Sequence, residues 1–74
     1  MKTKYKYIKF IKFQTKEHVK HDIYICLTNG KPESMLGKVE YYYPWKQYVF
    51  EPNEFAVFSS DCLDDISHFI SQLS

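Results

Sequence analysis

The chain contains no arginine; all ten of its basic residues are lysines. Arginine supplies the planar fork that reads phosphates and guanine edges through paired hydrogen bonds, so sequence-specific nucleic-acid reading is disfavoured. Glycine is almost as scarce. Gly30 and Gly37 are the only two, too few for a glycine-rich phosphate loop. Two cysteines, Cys26 and Cys62, allow one disulfide but do not suggest a disulfide scaffold. The reading is cytoplasmic, with both thiols reduced. No stretch approaches the roughly 18 apolar residues of a membrane span. The basic N-terminus lacks the apolar segment that follows it in a signal peptide.

What is abundant is aromatic surface. The 74 residues include seven tyrosines, six phenylalanines and one tryptophan. A chain this short is one domain, 1–74, and buries only about 60% of the surface it exposes when unfolded. Its core must come from large side chains, each removing roughly 150–250 Å² from water. The margin over ordering entropy is thin. Part of the aromatic surface is therefore expected to meet a second copy or a partner.

Charge is balanced overall and lopsided along the chain. Lys2, Lys4, Lys6, Lys9, Lys12, Lys16 and Lys20 are opposed early only by Glu17. From Val49 onward stand Glu51, Glu54, Asp61, Asp64 and Asp65, with no lysine.

Alternation predicts strands. Lys4 to Phe13 carries Tyr5, Tyr7, Ile11 and Phe13 on one parity and Ile8 and Phe10 on the other; the phase change predicts a bulge or two apolar faces. The lysines suit an edge strand. Val19 to Thr28 puts Val19, His21, Ile23, Ile25 and Leu27 on one face and Tyr24, Cys26 and Thr28 on the other. Asn29-Gly30 predicts a turn through residues that tolerate positive φ. Leu36 to Tyr43 is a third strand, with Gly37 marking a bulge or close backbone approach. Tyr43-Pro44-Trp45-Lys46 is a tight turn, Gln47 to Glu51 a fourth strand, and Phe55 to Phe58 a short fifth. Asp61 to Leu73 is an amphipathic helix. Cys62, Ile66, Phe69, Ile70 and Leu73 form its apolar stripe, widened by Leu63, with Ser60 or Asp61 as N-cap. The fold class is α+β: a four- or five-stranded antiparallel meander with one C-terminal helix on one face.

The stretch Leu36-Gly37-Lys38-Val39-Glu40-Tyr41-Tyr42, then Pro44-Trp45-Lys46-Gln47-Tyr48-Val49-Phe50-Glu51-Pro52, then Val57-Phe58, then Cys62-Leu63-Asp64-Asp65-Ile66-Ser67-His68-Phe69-Ile70, resembles a family of very small phage and mobile-element proteins. The resemblance covers about half the chain. It implies a sheet with one helix and a viral or mobile-element origin, and it implies no reaction. Lys46 departs from the family pattern, which has arginine there. A lysine clamps an anion more loosely, which weakens any ligand role for the turn.

No catalytic constellation emerges. Cys62 lies on the apolar stripe, and His68 lies about 240° further round the helix, so the two form no dyad. His18 and His21 would point to opposite faces of one extended strand, which spoils chelation; if His18 belongs to the turn the geometry is open, but no other ligand set is evident. Asp64 and Asp65 are adjacent and suit the helix dipole better than acid–base work. No enzyme activity, metal or cofactor is expected. Adjacent tyrosines alternate faces, and one helix covers one face, so part of the Tyr41–Tyr48 aromatic patch is left for an interface. The expected protein-binding residues are Tyr42, Trp45, Lys46 and Tyr48. The expected function is to bind and block or modulate a host protein, with a homo-oligomer as a further expectation for the same surface. The alternative is a single-stranded nucleic-acid or nucleotide binder using Lys4, Tyr5, Lys6 and Tyr7.

Overall fold

A computed structural model describes residues 1–13 and 20–73. Its order is β1 (Ile8–Phe13), β2 (Ile23–Thr28), β3 (Met35–Tyr42), β4 (Gln47–Pro52) and α1 (Ser60–Leu73). The strands form one antiparallel meander in sequence order, β1-β2-β3-β4. Short connections produce this, because antiparallel neighbours need only a turn between them.

Register decides what each face carries. Phe10 pairs with Cys26, Tyr24 with Val39, and Val39 with Phe50. These residues therefore share one face, and α1 lies on it. Phe69 is fully buried there and stacks flat on Phe10, with ring centroids 3.9 Å apart. Its edge meets Tyr24 at 5.0 Å and 77°. Ile66 joins Phe69 in the buried core, while Cys62, Ile70 and Leu73 pack at its margin. Burial pushes the Cys26 thiol up to about 12, with a smaller contribution from Cys62. Both cysteines are free. Leu63 is 53% exposed and lies outside the stripe it was expected to widen.

The first strand is shorter than its alternation implied. Tyr5 N–H donates to the Ile8 carbonyl at 2.8 Å, and Phe10 N–H donates to the Thr3 carbonyl at 2.8 Å. The chain thus reverses at Lys6 and Tyr7, and Lys4 bridges back to Lys9. The phase change in the sequence is this reversal, not a bulge. Asn29 pins it: its side-chain amide donates to the Tyr5 and Lys6 carbonyls at 2.6 and 3.2 Å. Its own N–H donates to the Tyr7 carbonyl at 3.0 Å. Asn29 therefore acts through its amide, and neither it nor Gly30 takes a positive φ.

Other bounds also move. Lys20 to Asp22 precede β2 rather than extend it, and Val19 lies outside the described residues. The sheet has four strands, because residues 55–58 form none. Asn53 turns the chain off the sheet: its N–H donates to the Leu36 carbonyl at 2.8 Å and its amide to the Met35 carbonyl at 3.1 Å. Phe55 then adopts a φ of 68°, and Phe58 packs edge-on against Phe50 at 5.4 Å. The helix starts one residue early. Ser59 is its cap, its hydroxyl accepting from Cys62 N–H at 3.2 Å.

Candidate functional site

The sheet has a second face, and no described helix or strand covers it. Opposite parity to the core places Ile11, Phe13, Ile23, Ile25, Leu27, Tyr42 and Val49 there, with Lys9, Lys38, Glu40 and Glu51, and the register shift beside Cys26 pairs Met35 with Leu27 on the same face. Ile11 and Phe13 are 47% and 51% exposed; Ile23, Ile25, Leu27 and Val49 are half-buried. The regular aliphatic alternation of β2 thus belongs to the open face, while Tyr24 and Cys26 belong to the core. His21 does not follow Ile23. Its ring lies on the helix side, stacked on Tyr41 at 3.7 Å and 3°.

Charged groups on the open face sit at its edges: Lys9 of β1, opposite Leu27 and paired with Glu33, and a cluster on β3 and β4. Lys38 pairs with Glu40 at 3.7 Å and with Glu51 at 3.6 Å. Two carboxylates share that one lysine. Their mutual hydrogen bond, then burial, then the Glu51 charge raise the Glu40 carboxyl above its ordinary value, while Lys38 pulls it down.

The β3–β4 hairpin carries the residues expected to bind a partner. Its loop is Tyr43 to Lys46, between the paired Tyr42 and Gln47. Trp45 N–H donates to the Tyr42 carbonyl at 3.2 Å, and Lys46 N–H to the Tyr43 carbonyl at 3.1 Å. Pro44 suits the first central position of such a turn. Lys46 closes the loop with a φ of 52°.

The hairpin divides the four expected residues into two pairs. Tyr42 belongs to the open face, and Trp45, 65% exposed, meets it edge-on at 5.1 Å. Tyr48 pairs with Tyr41 on the helix side. There it lines a cleft of about 470 Å³ together with His21, Tyr41, Lys46, Gln47 and Leu73. Tyr43 meets both His21 and Tyr41 edge-on, at 5.7 and 5.0 Å. Burial, then the neighbouring Tyr24 and Asp22, raise the Tyr48 phenol, so it stays protonated at neutral pH.

The basic N-terminal group is also divided. Tyr5 is a core residue at 8% exposure, with its hydroxyl 2.8 Å from Nδ1 of His68. Burial, then Asp65, raise its phenol. Tyr5 therefore offers no ring for a base to stack on. Lys4, Lys6 and Tyr7 are exposed, and the Lys6 ammonium sits 5.2 Å from the Tyr7 ring centroid. The expectation that His18 and His21 face opposite ways falls partly outside the described residues, which include His21 but not His18. Among the described residues no group of three or more His, Cys, Asp or Glu could hold a metal ion, and no helix is long and apolar enough to cross a membrane.

No protein-family model, curated protein or solved structure matches the chain. Sequence reasoning had no means of assigning Ile23, Ile25 and Leu27 to the open face. Their alternation was visible, but alternation does not state which side the helix takes.

Proposed function

We propose that the chain is a non-enzymatic protein-binding module that docks through the sheet face opposite α1, with Tyr42 and Trp45 at its hairpin end. The observation carrying this reading is the continuous apolar run of Ile11, Phe13, Ile23, Ile25, Leu27 and Met35 across three strands, uncovered by any described element. Contiguous apolar surface of this kind marks interaction sites. Tyr and Trp at its margin are the usual anchors of an interface, and Lys38, Glu40 and Glu51 supply a polar rim.

The resemblance to small phage and mobile-element proteins supports a partner in the host cytoplasm, which the chain blocks or modulates. The nucleic-acid alternative at Lys4 to Tyr7 has less support, since Tyr7 is the single exposed ring there.

Affinity capture from host lysate, with and without nuclease, tests the reading when paired with light scattering. A partner should be retained after nuclease treatment and lost with Ile25→Lys or Trp45→Ala, while both variants keep a folded melting transition. Recovery of nucleic acid alone would favour the alternative. A dimer broken by Ile25→Lys would assign the face to a second copy and overturn the reading.

A further inference from the structure

We infer that the cleft between the β3–β4 hairpin and the end of α1 is a mononucleotide site, holding a planar base against the His21, Tyr41 and Tyr48 rings and a phosphate at Lys46. This site is separate from the open face and does not depend on it.

Size permits such a ligand. The cleft measures about 470 Å³, within the roughly 300–1,000 Å³ of small-molecule sites. Its lining is aromatic on one side and cationic on the other. His21 and Tyr41 lie parallel at 3.7 Å, and Tyr48 stands edge-on to both, at 5.9 and 5.4 Å. A base has a π-face that such rings stack on whatever its sequence identity.

Charge selects among aromatic ligands. Among the described lining residues Lys46 is the one Lys, Arg, Asp or Glu. No described carboxylate pairs with Lys46 either. A cationic aromatic would be repelled by the ammonium, which is exposed to solvent. A phosphate ester answers it, and lysine serves phosphate as a point charge. The phenol of Tyr48 remains protonated at neutral pH and can donate to a sugar or phosphate oxygen.

The test is a titration of the full chain followed by amide chemical shifts and calorimetry. The probes are adenosine and uridine 5′-monophosphates, the matching nucleosides, and inorganic phosphate. Saturable shifts should centre on His21, Tyr41 and Tyr48. Loss of the charge-assisted contact should weaken binding about tenfold, both with the nucleosides and in Lys46→Asn. Asparagine tolerates the left-handed backbone, so this variant should melt as the parent does. His21→Ala should weaken binding as a second check on the ring wall. The inference is overturned by no saturable shift at millimolar nucleotide, by equal affinity in Lys46→Asn, by shifts mapping to Lys4–Tyr7, or by inorganic phosphate binding as tightly as the nucleotide.

Discussion

At Gly37 a missing methyl group decides how two strands pass. A Cβ there would lie 2.5 Å from the Glu51 carbonyl oxygen and 2.7 Å from Cζ of Phe50. The pairing of β2 with β3 also slips between Cys26 and Leu27, beside this residue. The glycine therefore serves both readings its sequence allowed, a bulge and a close approach. Gly37→Ala should cost about 1–3 kcal/mol from overpacking, checked by denaturant unfolding. Glu40 gives a pH prediction. Its folded pKa is raised, so the fold holds its proton more tightly than the unfolded chain does. That contribution is complete below the ordinary glutamate range and is lost as pH rises through the raised value. Glu40→Gln should thus melt higher than the parent at neutral pH, and the gap should close on acidification. A gap that widens in acid would refute this assignment.

Among the elements, the helix was the most legible. Cys62, Ile66, Phe69, Ile70 and Leu73 recur at helical spacing, and all five pack on the sheet. Its start was less legible, because Ser59, Ser60 and Asp61 are all good caps in sequence. Ser59 takes the role, its hydroxyl oxygen accepting a hydrogen bond from Cys62 N–H. Ser59→Ala should cost about 1 kcal/mol, read as a lowered unfolding midpoint. The strand expected at Phe55 to Phe58 failed for a reason that lies elsewhere in the chain. Asn53 bonds to the Leu36 and Met35 carbonyls, and no local propensity announces so distant a contact. The hairpin turn was read correctly, but its four candidate residues were treated as one patch. Strand alternation separates Tyr42 from Tyr48, so Trp45→Ala should abolish partner capture with little change in melting temperature. Comparable loss of stability and capture would place the indole in the fold rather than the interface.

For the whole molecule, the core is thin and one-sided. It consists of Tyr5, Ile8, Phe10, Tyr24, Cys26, Val39, Ile66 and Phe69. Phe69 touches both Phe10 and Tyr24, so Phe69→Ala should cost about 3–5 kcal/mol. That is most of the stability such a small domain possesses, and circular dichroism should show a largely unfolded chain. Ile25→Lys on the opposite face should leave the spectrum folded. The N-terminus is held against the far end of the helix by a reciprocal pair: Lys2 N–H donates to Oε1 of Gln72 at 2.7 Å, and the Gln72 amide donates to the Lys2 carbonyl at 2.8 Å. Chain reversal and helix end thus close one side of the sheet together.

Period and composition were enough to specify an α+β meander with a single amphipathic helix, because side-chain alternation and helical spacing are local properties of a chain. They were enough, too, to require that one sheet face stay bare, since one helix cannot cover two. Which face that is depended on contacts between residues far apart: Phe69 chose Phe10 and Tyr24, leaving the isoleucines of β2 outside. Long-range packing also drew His21, Tyr41 and Tyr48 into one cleft beside Lys46. Local pattern fixes parity within a strand, but only docking of the helix gives that parity an inside and an outside.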